Sequence, residues 1–469
     1  MKHLNTLALV MAVYLAGATQ HQLWVATTQG GANQLGAIYV ADATGSNFHI
    51  VHDCDMYGSR IVGSMTLAPN GILYGVTETG GTADSCVVCS FDPLTGVFSD
   101  IHDFANSSDS GESALTGMTL AADGQLYGVT YGGGANGGGV IYTVDPTNNN
   151  YNPIHNFTMD SSGFGPVGGL LALSNGMLYG TTYSGGLYGM GTIFAFNPVS
   201  RTFYDLHDFT DSTGSLPYLG TLMQGADGKL YGMVNSGGAL GVGVIYSLDL
   251  NGNVYTDVHD FDGANGGAPD GGLMQATDGN LYGMTNMGGL NNLGTIFKFN
   301  SATSAYSVIF NFDNLSGSAP VRNLTQSSTG KLFGTTPRGG SGNTGVIFSY
   351  DIVSNIYSKV FEFDSLGGVP DGDVVDALTN SPMGIGVIED EPALSLFPNP
   401  ATGSVTVTLN DEMVGATAKL TNMTGQLISG LSLTSKTTQV NIKDLPAGIY
   451  FVTIRKGETQ NSQKLIVAE

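Results

Sequence analysis

At 469 residues the chain has room for two or three domains with a sizeable core, and 41% hydrophobic against 11% charged residues excludes a disordered protein. Its 70 glycines point to turn-dense β structure rather than helices. A formal charge of -23 repels phosphate backbones and anionic headgroups, which excludes nucleic-acid and membrane-surface binding as function classes. The acidic excess lies upstream of residue 391, because residues 391–469 hold six Lys or Arg and six Asp or Glu.

Residues 1–18 read as a signal peptide: Lys2 and His3, an apolar run from Leu4 to Leu15, then Ala16-Gly17-Ala18, with cleavage expected near Ala18. No later stretch approaches the roughly 20 apolar residues of a membrane helix, so no membrane span is expected. Of the three cysteines, Cys86 and Cys89 have the spacing of a metal or redox pair, but no second such motif and no nearby histidine support it. In a regular strand their Cα atoms lie about 10 Å apart, too far to bridge. In an oxidising compartment Cys54 is expected to pair with Cys86 or Cys89.

From residue 19 to 380 one segment recurs seven times: QLWVATTQGG, ILYGVTETGG, QLYGVTYGGG, MLYGTTYSGG, KLYGMVNSGG, NLYGMTNMGG and KLFGTTPRGG. Its leucine falls at Leu23, Leu73, Leu126, Leu178, Leu230, Leu281 and Leu332, a period of about 52 residues. Each unit has four short apolar runs between turn residues, and in the third run (Gly191 to Phe196) both parities are apolar. Strands buried on both faces and repeated at this period predict an all-β, seven-bladed propeller. Asn70-Gly71, Asp123-Gly124, Asn175-Gly176, Asp227-Gly228, Asp278-Gly279 and Thr329-Gly330 predict hairpins between first and second runs, with positive φ at both turn residues. The seventh hairpin is missing: Leu23–Thr27 is a second run with no first, and Pro370–Leu378 a first run with no second. Together they complete one blade and close the ring, leaving no open sheet edge.

Residues 381–392 lack period-2 patterning and read as a linker. Residues 393–469 alternate β runs with turns at Pro398-Asn399-Pro400, Thr424-Gly425 and Pro446-Ala447-Gly448, enough for a small β-sandwich.

On the LYG, Gly-Gly, Gly-x-Ile-Phe and Asp-Pro elements, residues 21–380 resemble the GloVer tandem repeat of bacterial secreted proteins, and more distantly kelch. That likeness implies a surface-displayed propeller without naming a substrate. Leu396-Phe397-Pro398-Asn399-Pro400-Ala401, Asn422 to Leu427, Leu445 to Val452 and Lys464 to Val467 resemble the type A sorting domain of the type IX secretion system. The family commonly has Asp where Asn422 stands. The resemblance implies that residues 393–469 engage the type IX secretion machinery, and that the protein is secreted or held on the cell surface.

Five histidines, His52, His102, His155, His207 and His259, share one repeat position in the fourth, outermost run, where ring symmetry spreads them apart; a structural role is expected. Gly163-Phe164-Gly165-Pro166-Val167-Gly168 fits a dinucleotide motif by letter but leads into a strand, and reads as a turn. The repeat stops repeating just before each Gly-Gly, so Tyr131, Tyr183, Asn235, Asn286 and Arg338, with nearby Tyr188, are candidate ligand-binding residues, a mix of stacking and hydrogen-bonding groups suited to a sugar. Asp262, Asp270 and Asp313 in the acidic connections are calcium candidates, the alternative being solvated turns; otherwise no cofactor and no catalytic residue are expected. The functional reading is a non-enzymatic binding or adhesion module for an extracellular glycan or protein. The alternatives are a carbohydrate-active hydrolase or lyase with carboxylates in the central mouth, and a structural surface protein.

Overall fold

The computed structural model describes residues 20–55, 58–81, 85–104, 111–160, 162–363, 369–370, 372–379, 394–397, 403–409, 413–422, 426–443, 445–456 and 459–467. Ala18, Asp371 and the linker 381–392 lie outside them. The chain divides into two compact units, Met1–Met383 and Gly384–Glu469. No helix among the described residues is long and apolar enough to cross a membrane.

The first unit is seven antiparallel sheets, the blades of a propeller, each meeting its neighbours face to face. Blade 5 shows the pattern: Met223–Gln224, Leu230–Val234, Val244–Asp249 and Val254–Asp260, in that order across the sheet. Its third strand is buried almost throughout, as double-faced packing requires. Blade 4 adds Phe164–Pro166, which pairs with the second strand at Phe164↔Ser184 and Pro166↔Thr182. The GxGxxG segment is therefore an extra strand as well as a turn, with Gly163 and Gly165 at positive φ.

Ring closure follows the two chain ends. Val375–Thr379 pairs with Gln20–Ala26, with Ala377 opposite Gln22 and Val375 opposite Trp24. Seven apolar clusters fill the seven gaps between blades. The closing one joins Leu23, Tyr39 and Val374 of blade 1 to Phe333, Ile347 and Phe363 of blade 7. Each large side chain so buried contributes about 1.5–3 kcal/mol, and a closed ring leaves no terminal blade with a wet face.

The hairpins between first and second strands form, but with a different turn. Only the glycine has positive φ, for example 83° at Gly228. Gly228 N–H donates to the Gly225 carbonyl, the bond of a type I turn followed by a left-handed glycine. The Asx side chain instead anchors the strand that follows, since Asp227 accepts from Lys229 N–H and from the Tyr231 hydroxyl at 2.8 Å. Asp123 with Tyr127 and Asp278 with Tyr282 repeat the bond, and the Asn175 amide meets the Tyr179 hydroxyl.

On the axis the first strands crowd. A Cβ on Gly271 would lie 2.3 Å from the Arg322 carbonyl, and one on Gly220 would lie 2.7 Å from the Gly271 carbonyl. Arg322 stands where Gly220 and Gly271 stand in their blades. Its side chain is 5% exposed and donates from Nη1 to the Leu115 carbonyl in blade 3, across the ring.

The second unit is two sheets around one core. Leu394–Phe397, Ser404–Leu409 and Thr437–Asn441 form one; Leu427–Leu433, Ala416–Asn422, Gly448–Lys456 and Thr459–Val467 form the other. Strict alternation, with Ala416, Ala418 and Leu420 buried and Thr417 and Lys419 exposed, turns one face of the second sheet inward against Val405, Val407 and Leu409. This is the sandwich the alternation predicted.

Candidate functional site

Each second strand runs toward a Gly-Gly loop whose two glycines have positive φ, such as Gly185 at 83° and Gly186 at 76°. A Cβ on Gly186 would lie 2.6 Å from Asp208 Oδ1, because that carboxylate accepts from Leu187 N–H at 2.7 Å. The same bond recurs from Ala32 to Asp53, Ala135 to Asn156, Ala239 to Asp260 and Leu290 to Asn311. The acid or amide that follows the fourth-strand histidine, or Phe310 in blade 6, thus ties down the loop of its own blade.

In blades 1 and 2 the residue before the Gly-Gly pair meets the segment that enters its own blade, whereas in blades 3, 5 and 6 its side chain reaches the connection that enters the next one. Thr28 N–H donates to the Val369 carbonyl, and Glu78 pairs with Arg60 at 2.9 Å. Tyr131 lies over Gly165, where a Cβ would come within 2.9 Å of its ring. Tyr131 and Tyr183 meet edge to face at 6.3 Å, and Tyr183 meets Tyr218 the same way at 6.3 Å. Beyond them Asn235 Nδ2 donates to Asp270 Oδ1 at 2.5 Å. Tyr183, Leu216, Tyr218, Asn235 and Asp270 line a pocket of about 160 Å³. Asn286 follows, donating to the Ala319 carbonyl at 3.5 Å and hydrogen-bonding Asp270. Four of the predicted residues, Tyr131, Tyr183, Asn235 and Asn286, therefore form one arc over blades 3 to 6, with Asp270 inside it.

Burial pushes the Asp270 carboxyl up to about 6, against the opposing pull of Asn235, Arg322 and Asn286. The backbone before it is strained: Leu216 and Ala268, each preceding a proline, sit at φ 53° and 48°, a conformation costing about 1 kcal/mol or more in a non-glycine residue. Tyr218 and Leu216 were not among the sequence candidates. Placing Leu216-Pro217-Tyr218 beside Ala268-Pro269-Asp270 would have revealed Tyr218 as the counterpart of Asp270.

Tyr188 stands apart, exposed at a loop tip, and Arg338 is exposed in blade 7, outside the arc. Asp262 caps its own turn by accepting from Asn265 N–H and Nδ2, and Asp313 accepts from Leu315 and Ser316 N–H. The three calcium candidates do not converge, and among the described residues no group of three or more His, Cys, Asp or Glu is placed to hold a metal ion. The expected disulfide is absent: Cys54, Cys86 and Cys89 are free thiols. Cys54 packs in the cluster between blades 1 and 2 and Cys86 in that between blades 2 and 3, so the sheet of blade 2 separates them. The axial mouth is filled by Arg322, beside a 40 Å³ gap. A wider axial cavity of about 570 Å³ contains Asp373 and Asp376, whose oxygens are taken by Asn323, Ser328 N–H and His21.

A seven-bladed repeat propeller joined to a small sandwich is the class this architecture defines. Residues 13–225 and 174–386 match the Gloeobacter/Verrucomicrobia repeat, and the chain belongs to that family. Residues 395–468 match the secretion system C-terminal sorting domain, which makes this a type IX secreted repeat protein of the cell surface or extracellular space. No curated protein matches the chain. Among solved structures, a candidate 6-phosphogluconolactonase from Bacteroides uniformis aligns over 76% of this chain and 100% of its own at 13% identity and TM-score 0.53, a likeness of fold alone. PorZ, a surface component of the type IX secretion system of Porphyromonas gingivalis, aligns over 92% of this chain at 12% identity and TM-score 0.44. The extracellular domain of a hybrid two-component system from B. thetaiotaomicron aligns over 95% at 14% and 0.46. The chain spans 63% and 66% of those two, under two thirds of their length.

Proposed function

We propose that the propeller is a binding module for a neutral glycan, seated on the arc from Tyr131 to Asn286. The observation that carries this is the row Tyr131–Tyr183–Tyr218 running into the Asn235–Asp270 pair. Tyrosine faces accept the apolar side of a sugar ring while amide and carboxyl groups bond its hydroxyls. A panel of glycans tested against the purified chain, with and without chelator, should yield a ligand whose binding survives the chelator. Tyr131→Ala and Tyr183→Ala should each weaken it tenfold or more, and unaltered binding in both sinks the proposal. One observation favours a second reading, hydrolysis: a buried carboxyl raised toward neutral pH can donate a proton. Cleavage of the bound glycan, lost in Asp270→Ala, would move the assignment to that reading.

A further inference from the structure

The Gly-Gly loop tips differ around the ring. Blades 4, 5 and 6 present Leu187, Leu240 and Leu290 to solvent at 69%, 60% and 87% exposure. The corresponding tips of blades 1, 3 and 7 carry Ala32-Asn33, Ala135-Asn136 and Ser341-Gly342. Large apolar side chains held this far into water on three consecutive blades gain nothing for the fold, and such a patch marks a contact surface.

Each tip packs on the backbone of a connection that carries an exposed acid. The loop of blade 4 packs on the connection leaving blade 3, where a Cβ on Gly185 would meet the Asp160 carbonyl at 2.9 Å. Gly238 N–H in blade 5 donates to the Asp211 carbonyl. Gly289 N–H in blade 6 donates to the Ala264 carbonyl, two residues past Asp262. Asp160, Asp211 and Asp262 are all exposed. Residues 157–317, which hold these tips and acids, contain three Lys or Arg: Arg201, Lys229 and Lys298. Arg201 and Lys229 lie in the turns at the opposite ends of the strands, and Lys298 pairs with Tyr282 near that end.

The geometry points to a protein-docking surface formed by Leu187, Leu240 and Leu290 with Asp160, Asp211 and Asp262, fitted to a partner segment that alternates apolar and basic side chains. Charge decides among occupants. A second copy of a chain at -23 would bring carboxylates against carboxylates, and an anionic lipid surface would be repelled in the same way. A basic segment gains from both the leucines and the acids. With facing sheets about 10 Å apart, the three tips span roughly 20 Å, within reach of an extended segment of about seven residues.

The test uses the full chain and a labelled synthetic peptide alternating Leu and Lys, followed by fluorescence anisotropy. The Leu/Lys peptide should bind, and the triple variant Leu187→Ser, Leu240→Ser, Leu290→Ser should lose at least tenfold in affinity. A Ser/Lys peptide should bind at least tenfold more weakly to the native chain and not respond to the triple variant. Equal binding of Leu/Lys to native and triple-variant chains overturns the proposal, as does equal binding of a Leu/Glu peptide. Stronger association with anionic vesicles than with the peptide overturns it in favour of a membrane. Because the three leucines are exposed, the variant folds, which an unchanged thermal midpoint confirms.

Discussion

Asp270 shows how one side chain changes role with its surroundings. In sequence it is an acid after a proline in a glycine-rich connection, hardly distinct from a solvated turn. In the fold it is largely desolvated beside Asn235 and Asn286, and its carboxyl rises to about 6. A native value above the unfolded one means the native state holds a proton that the unfolded chain has released. Stability from this group is present below about pH 4 and is lost as pH rises through 6. Asp270→Asn, which cannot ionise, should therefore gain on the native chain by up to about 2 kcal/mol between pH 4.5 and 7.5, read from urea unfolding at each pH. A constant difference at all pH values would show that the carboxyl is not perturbed. The candidate residues Tyr131, Tyr183, Asn235 and Asn286 were legible because they break the repeat. Tyr218 was not, since one added residue in its connection displaces it from the register of the others.

Outer strands carry a second regularity. His102 stacks on Tyr151 of the next blade at 3.7 Å, His155 on Phe203 at 5.0 Å, His207 on Tyr255 at 4.0 Å and His259 on Tyr306 at 4.1 Å. His52 on Phe98 and Phe310 on Tyr357 continue the girdle. The histidines are ring-to-ring contacts between blades, the structural role their even spacing implied, and burial holds all five imidazoles below their ordinary value. A depressed imidazole favours the neutral folded form, so stability is present above about pH 6.5 and falls as acid protonates the unfolded chain first. Phe310 occupies this place in blade 6, so His207→Phe should keep the stack and lessen the loss of stability between pH 7.5 and 5.5. The gain is a fraction of a kcal/mol, since His207 is partly exposed. An identical pH profile for both proteins, by thermal unfolding, would refute the role of this imidazole. Asp205 on the same strand, raised to about 6 by burial and then by Asp208, acts in the opposite direction and is common to both chains. The hairpins were legible from Asx-Gly, but their turn type was not, because the hydroxyl that recruits the Asx side chain lies four residues on. Thr329 with Phe333 is the exception that shows it: where the tyrosine hydroxyl is missing, so is the Asx.

At the scale of the whole molecule the ring is one cooperative object, because Val374 and Ala377 from the far end of the propeller complete two separate clusters. Val374→Asp would bury an unpaired charge in the closing gap and should cost about 3–5 kcal/mol, visible as a lower urea midpoint for the unit as a whole. An unchanged midpoint would mean that blade 1 does not depend on closure. Deleting residues 384–469 should leave the propeller folded with its own midpoint while the protein no longer reaches the cell exterior, as cell fractionation would show. Sequence alone determined the seven repeats, the burial of the third strands, the missing hairpin and the sorting tail, because each is written in local periodicity and spacing. Only tertiary structure decided that Arg322 reaches across the axis, that Cys54 and Cys86 fall on opposite faces of blade 2, and that Tyr218 and Asp270 join the arc. Those outcomes depend on which connection lies against which strand of the next blade, a long-range contact that no local pattern encodes.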